Sequence, residues 1–338
     1  MDRIRLRADL LSWYDAHART LPWRAPPGGD RRSDPYAVWL SEVMLQQTTV
    51  PHATPYFLKF RDRWPTVSDL AAADDGDLMA AWAGLGYYAR ARNLLKCARA
   101  VAAEHGGVFP DTEGALRALP GIGAYTAAAV AAIAFDRAAN VVDGNVERVM
   151  ARLFAVETPL PAAKPALTAL AAGLIAEDRP GDWAQALMDL GATVCKPKAP
   201  LCGLCPVADQ CAAVATGAPE TYPRKTRKAD RPRRYGVAWL IRRGDELALV
   251  RRPDKGLLGG MLGLPTSEWR GVPWSDAEAH HAAPISGEWR DLGCVEHVFT
   301  HFALTLRVFA AEADLPDAVW TADLSVLPSV FLKAARVF

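Results

Sequence analysis

The sequence predicts a chain in two parts, an all-α region over about its first two-thirds and then a smaller α+β domain. Three observations lead there. Apolar residues recur with helical spacing from the N-terminus to about residue 193, with caps and breakers between the segments. Four of the six cysteines fall within residues 195–211 and close that region. Beyond a basic stretch, the apolar period shortens from that of a helix to that of a strand.

At 338 residues the chain exceeds one ordinary core. A composition 51% hydrophobic and 23% charged excludes a disordered or fibrous protein. The net charge is +1, so any basic surface must be local. The longest uncharged run, 118–135, contains Pro120, Gly121 and Gly123 and is rich in alanine, which reads as a turn leading into a buried helix and not as a membrane span. The N-terminal segment interleaves acids and bases along an amphipathic helix, unlike a secretion signal. The expectation is a cytoplasmic bacterial protein.

Asp34 supplies an N-cap and Pro35 an N1 proline for a helix running from Tyr36 to Gln47, with Tyr36, Leu40, Val43 and Met44 as its apolar residues. Helical segments follow at about 51–62, 68–73, 75–83, 88–105, 112–119, 124–135, 144–154, 163–177 and 182–193. Residues 221–234 hold seven Lys or Arg, one acid and two prolines, an exposed basic linker that serves as a solvated tether or as a phosphate contact. Strands are expected at 235–243 and 246–252 around Gly244-Asp245, a two-residue hairpin signal. A second strand pair, 292–298 and 302–310, flanks Phe299-Thr300-His301, and Pro328 opens a C-terminal helix. The domains are therefore 1–215, a linker over 216–234, and 235–338.

Four motifs carry chemistry. In Leu119-Pro120-Gly121-Ile122-Gly123, two glycines in a tight turn before a helix let bare backbone N–H groups approach a phosphate at the helix's positive end. An ordinary helix–helix turn would read the same way. Twenty residues past Gly123, Asp143 lies where a new helix begins, a position at which an N-cap aspartate is commonplace. Glu42 shares a helix face with Trp39 and Gln46, and a carboxylate beside an indole is a candidate for a raised pKa and for general-acid chemistry. The cysteines are spaced C-x6-C-x2-C-x5-C. Such thiolates bind zinc or an iron–sulfur cluster, and only Cys202 and Cys205 form the C-x2-C pair that zinc ribbons use twice, which tilts the reading towards [4Fe–4S]. A disulfide framework is disfavoured without a secretory context.

Taken together, the four cysteines, LPGIG followed by Val142-Asp143-Gly144-Asn145, and SEVMLQQT (41–48) resemble the endonuclease III superfamily of DNA glycosylases. SEVMLQQT with GLGYYAR (84–90) is similar to the superfamily's MutY branch, which removes adenine. The match covers about 10–211 and continues more loosely over 235–338, which resembles that branch's Nudix-related C-terminal domain.

The resemblance implies two helical lobes, about 30–135 and 1–29 plus 136–215, with a DNA groove between them, in a protein that acts as a monomer. It implies hydrolysis of the N-glycosidic bond of adenine mispaired with 8-oxoguanine or guanine in double-stranded DNA, the adenine being flipped from the duplex. It assigns Glu42 to protonating the base and Asp143 to stabilising the oxocarbenium-like sugar, with Tyr125 and Asn145 around Asp143. Trp23, Arg24 and Gln185 would surround the extruded adenine. Gln47 and Tyr87 would wedge into the base stack, with Thr48, Leu85, Gly121 and Gly123 among the DNA contacts. Cys195, Cys202, Cys205 and Cys211 would hold a [4Fe–4S] cluster that orders a loop where Lys196 and Lys198 lie near phosphate. Phe299, Thr300 and His301 resemble the branch's F-[ST]-H loop, which contacts the oxidised base.

Two features depart from the family pattern. Residues 24–34 are longer than the usual connection, which bears on Arg24. Residues 259–265 carry none of the acids of a Nudix metal box, so pyrophosphate hydrolysis is not expected. Two other readings compete, a bifunctional glycosylase/lyase and a non-catalytic DNA-binding metalloprotein. A lyase of this superfamily needs a lysine directly before the Thr-Ala of the hairpin's second helix, and here Tyr125 precedes Thr126-Ala127.

Overall fold

In a computed structural model of the chain, the described residues are 2–29, 32–175, 177–226, 231–253, 256–299 and 301–337. The chain divides into two compact units, Met1–Thr226 and Arg227–Phe338.

The first unit is helical. α1 (Arg3–His17) starts where Asp2 accepts hydrogen bonds from the N–H groups of Ile4 and Arg5, and it buries Leu6, Leu10, Leu11 and Tyr14. α2 (Pro35–Met44) starts at the predicted cap, with Asp34 accepting from Tyr36 N–H and Pro35 in the first turn. Every residue of α2 from Tyr36 to Met44 is buried, so Ser41 and Glu42 are polar groups inside a core helix. α3 (Val50–Arg63), α4 (Val67–Ala71), α5 (Asp75–Trp82) and α6 (Ala89–His105) follow. α7 (Glu113–Ala118) and α8 (Ala124–Phe135) form the hairpin around Pro120–Gly123.

α8 is alanine-rich and buried along most of its length, which lets α2, α7 and α11 (Pro180–Asp189) all pack against it. The approach of α11 is closest at Gly181, where an added Cβ would lie 2.6 Å from the Ala132 carbonyl oxygen. Between them run α9 (Gly144–Leu153) and α10 (Lys164–Ala172). The sequence expectation of one helix over 182–193 is altered at its end. The chain widens into a π-helical turn, Leu190–Val194, where Gly191 sits so close to Asn145 that a Cβ would meet its Cβ at 2.6 Å. The cysteine loop and a short α12 (Ala212–Ala215) close the unit. Among the described residues no helix is long and apolar enough to cross a membrane.

The second unit is a mixed sheet of β1 (Arg233–Arg243), β2 (Glu246–Arg251), β3 (Leu262–Gly263), β4 (Arg290–Val298), β5 (Ala303–Glu312) and β6 (Val319–Thr321), in the order β3-β2-β1-β5-β4 with β6 beside β2. Both expected hairpins form, β1 with β2 and β4 with β5. The parallel pairing of β1 with β5 joins them, and β3 and β6 are too short to have carried a periodic signal. The sheet is covered on both faces. Leu240, Leu249, Leu306 and Val308 pack towards α14 (Ser329–Ala335), while Val237, Trp239, Ile241 and Phe309 pack towards α13 (Asp276–His281).

Candidate active site

A cavity of about 270 Å³ opens between α2, α8, the start of α9 and α11. Its walls include Trp23, Arg24, Glu42, Thr48, Tyr125, Asp143, Asn145 and Gln185. Residues far apart in sequence, Trp23 and Gln185 among them, thus meet around one space near the lower end of small-molecule sites.

Glu42 reaches the cavity from the middle of the buried α2. Tyr125, in the first turn of α8, donates its hydroxyl to Glu42 Oε2 at 2.8 Å, with Met188 Sδ 3.7 Å from the same hydroxyl. Burial pushes the Glu42 carboxyl up to about 6 from the usual 4.5. The Tyr125 hydrogen bond and the Arg24 charge pull it down, and the Asp143 carboxylate pushes it further up. Burial, with the nearby Glu42 and Asp143 charges, raises the Tyr125 phenol well above its usual value, so it stays a donor.

Asp143 is the N-cap of α9 as well as a cavity wall. Its Oδ1 accepts from Val146 N–H at 2.7 Å and its Oδ2 from Asn145 Nδ2 at 2.9 Å. Each carboxylate oxygen thus accepts from one donor, which fixes the group's orientation at the cavity wall. The capping role and the cavity position coincide in one residue. Asn145 accepts from Arg148 Nη2 at 2.9 Å, and Arg148 also donates to the carbonyls of Gly191 at 2.6 Å and Cys195 at 2.8 Å.

Arg24 is held by a partner the sequence reading did not contain. Asp189, wholly buried at the end of α11, accepts from Arg24 Nη1 at 2.8 and 2.9 Å and from Arg19 Nε at 2.7 Å. The signal was available, since an acid in the apolar run 186–190 must find a cation once buried. Arg19, Ser41, Leu45 and Met188 are further wall residues that went unremarked. Trp23 is buried with its ring edge-on to Phe57 at 5.1 Å between centroids.

Of the expected DNA contacts, Thr48 lines the cavity and the others lie outside it. Gln47 and Tyr87 are exposed, and both have left-handed backbone, with φ of 60° and 50°. Leu85 does not join them. It turns inward and is 4% exposed. Gly121 has φ +76°, and a Cβ there would meet Asn93 Cβ at 2.7 Å, so glycine is required on both counts. Gly123 caps α8 with nothing within 4 Å of a built Cβ, leaving its backbone open to an approaching group.

In the second unit Phe299 is half-buried. It stacks on Trp269 at 5.5 Å and packs against Phe302 and His297. Its ring is thus engaged by three neighbours within the second unit. His301 is exposed, and Thr300 lies outside the described residues.

The four clustered cysteines are all free thiols, partly buried. Burial pushes the Cys205 thiol up to about 11, and the charges of Cys195, Cys211 and Cys202 add to that, so the other three lie within electrostatic reach of Cys205. Arg152, 2% exposed, donates from Nη1 to Cys195 Sγ at 3.2 Å. Among the described residues no group of three or more side chains closes on a point as the ligands of a single ion do. A cubane cluster carries its thiolates on separate corners, and four free thiols with a buried guanidinium at one of them suit such a polyanionic group.

Comparison with known proteins agrees with this architecture. Residues 40–171 match the HhH-GPD superfamily base excision DNA repair protein model, and residues 236–333 match a NUDIX domain. The human adenine DNA glycosylase is 38% identical over 92% of this chain and 68% of its own length. The rat enzyme of that name is 37% identical over 94% of this chain and 74% of its own. The adenine DNA glycosylase of Mycolicibacterium smegmatis is 43% identical over 59% and 66%, respectively. Among solved structures, a thermostable thymine-DNA glycosylase superposes with a TM-score of 0.56 at 29% identity, covering 63% of this chain and 97% of that one. An endonuclease III–DNA intermediate, 22% identical with a TM-score of 0.52 over 64% of this chain and 99% of that one, shares the fold. A likeness that runs at more than a third identity through both folded units makes this chain a member of the adenine DNA glycosylase family.

Proposed function

We propose that this chain removes adenine mispaired with 8-oxoguanine or guanine in duplex DNA by monofunctional hydrolysis. The observation that carries the proposal is that Glu42 and Asp143, two carboxylates in opposite environments, line one cavity. Glu42, lifted by burial, keeps its proton up to about pH 6 and passes it to a ring nitrogen of the flipped adenine. The C–N bonding pair leaves with the base, and positive charge develops on the sugar. Asp143, fixed by Val146 N–H and Asn145, faces that charge as a carboxylate. Water then adds to the sugar carbon and returns its proton to Glu42, leaving an abasic site. Trp23, Arg24 and Gln185 hold the extruded base, and Gln47 and Tyr87 fill the space it leaves.

Cys195, Cys202, Cys205 and Cys211 hold a [4Fe–4S] cluster that orders their loop against DNA. His301 and Thr300 read the partner base, and Phe299 anchors their loop. The enzyme acts as a monomer. Single-turnover base release from duplexes with adenine opposite 8-oxoguanine, guanine or thymine tests the proposal. Release from the first two and not the third is expected, with loss of all release in Glu42→Gln. Equal release from all three would refute the mispair assignment, and an active Glu42→Gln would refute the mechanism.

A further inference from the structure

Arg90 stands where helix electrostatics disfavour a cation, in the first turn of α6 at the positive end of that helix. Burial lowers its pKa, an added cost of the position. What the guanidinium reaches explains the placement. Nη1 donates to the carbonyls of Val43 at 3.0 Å and Met44 at 3.1 Å, the last two residues of α2. Nη2 donates to the carbonyls of Leu85 at 3.0 Å and Gly86 at 3.2 Å. The group thus caps the negative end of the helix that carries Glu42 and, at the same time, grips the loop that carries Tyr87. Its faces meet the rings of Trp82 at 5.3 Å and Tyr87 at 5.5 Å.

Just beyond each gripped pair of carbonyls, a non-glycine residue adopts left-handed backbone. Gln47 follows Met44 by three residues with φ 60°, and Tyr87 follows Gly86 directly with φ 50°. Such conformations persist only where the surroundings hold them. One turn further along α6, Asn93 packs under Gly121 of the hairpin.

We propose that Arg90 is the positioning residue for strand opening, clamping the α2 end to the 82–88 loop so that Gln47 and Tyr87 form a wedge already shaped before DNA arrives. The inference rests on the wedge role given above for those two residues. A lysine cannot replace the clamp, because one ammonium lacks the planar fork that reaches two carbonyls in each of two segments.

The test uses the full chain and a duplex with 2-aminopurine in place of the target adenine, in a Glu42→Gln background so that the base is flipped and not released. Arg90→Gln and Arg90→Lys should each weaken 2-aminopurine unstacking about tenfold, and adding Tyr87→Ala should cost no more than the larger single effect, the coupling expected of contacting residues. With Glu42 restored, single-turnover adenine release should slow by the same factor while the midpoint of its pH–rate profile stays at the wild-type value. Arg90→Lys keeps the charge and serves where Arg90→Gln does not fold. Additive effects of Arg90 and an impaired Tyr87→Ala would overturn the clamp and leave the wedge standing. Normal unstacking by Tyr87→Ala would overturn both. A displaced pH midpoint would show that Arg90 acts on the Glu42 site instead, which also overturns the clamp.

Discussion

Tyr125 donates its hydroxyl to the buried Glu42 at 2.8 Å, across the wall of the cavity. The bond favours the ionised acid, yet burial outweighs it and the carboxyl rests at about 6. The balance makes the acid both reactive and costly to the fold.

The cost predicts a stability effect. A carboxyl raised from 4.5 to about 6 opposes folding only when ionised, so the penalty is absent below about pH 4.5, grows as pH rises through about 6, and is full above it. Glu42→Gln removes the ionisation and keeps an oxygen for Tyr125. At pH 8 it should therefore stabilise the protein by up to about 2 kcal/mol and raise the melting temperature by a few degrees. The gain should vanish near pH 4, as thermal melts at the two pH values will show. Wild-type kcat/KM should decline as pH rises through about 6 for the same reason.

Asp189 anchors Arg19 and Arg24 from a fully buried position. Asp189→Asn leaves two guanidinium groups facing a neutral amide, so a loss of about 3–5 kcal/mol is expected in denaturant unfolding. Asp189→Glu should recover part of it. A variant as stable as wild type would mean that water or rearrangement replaces the ion pairs.

Reaction with borohydride distinguishes hydrolysis from lyase chemistry. Tyr125 occupies the position before Thr126-Ala127, and a phenol cannot form an imine with the sugar. No borohydride-trapped protein–DNA adduct comparable with that of a lyase should accumulate, and the product should be an intact abasic site.

The Phe299–His301 segment should separate into two roles. His301→Ala, alone or with Thr300→Ala, should erode the preference for adenine opposite 8-oxoguanine over adenine opposite guanine, while release from the latter changes little. Phe299→Ala instead removes a ring stacked on Trp269 and packed against Phe302 and should cost about 2 kcal/mol, less than a fully buried phenylalanine. Equal slowing of both substrates by His301→Ala would make the loop a general DNA contact.

What the sequence disclosed follows from the range of each signal. The caps Asp34 and Asp143, the hairpin glycines and the cysteine spacing are local, and each stands where it was expected. The Glu42–Tyr125 bond spans 83 residues and the Arg24–Asp189 pair 165, and no spacing rule reaches so far. The β1–β5 pairing was hidden for a similar reason. Two hairpins were readable, but which of their strands meet is decided by side chains packing on both faces of the sheet. A motif string does not say which residues face inward, and burial alone separates Leu85 from Tyr87.

The contact between Gly181 and Ala132 has a bearing on selectivity. Helix α8 brings Tyr125 to the cavity and α11 brings Gln185 and Met188, and the two helices touch main chain to main chain at that point, with room for not even a methyl group. Side chains can change rotamer and let a pocket breathe; two backbones in contact cannot. The spacing of these two cavity-bearing helices is therefore fixed at that point by peptide groups and not by rotamers. A Gly181→Ala change, remote from the reacting atoms, would alter the bore of the pocket more than most substitutions in its walls.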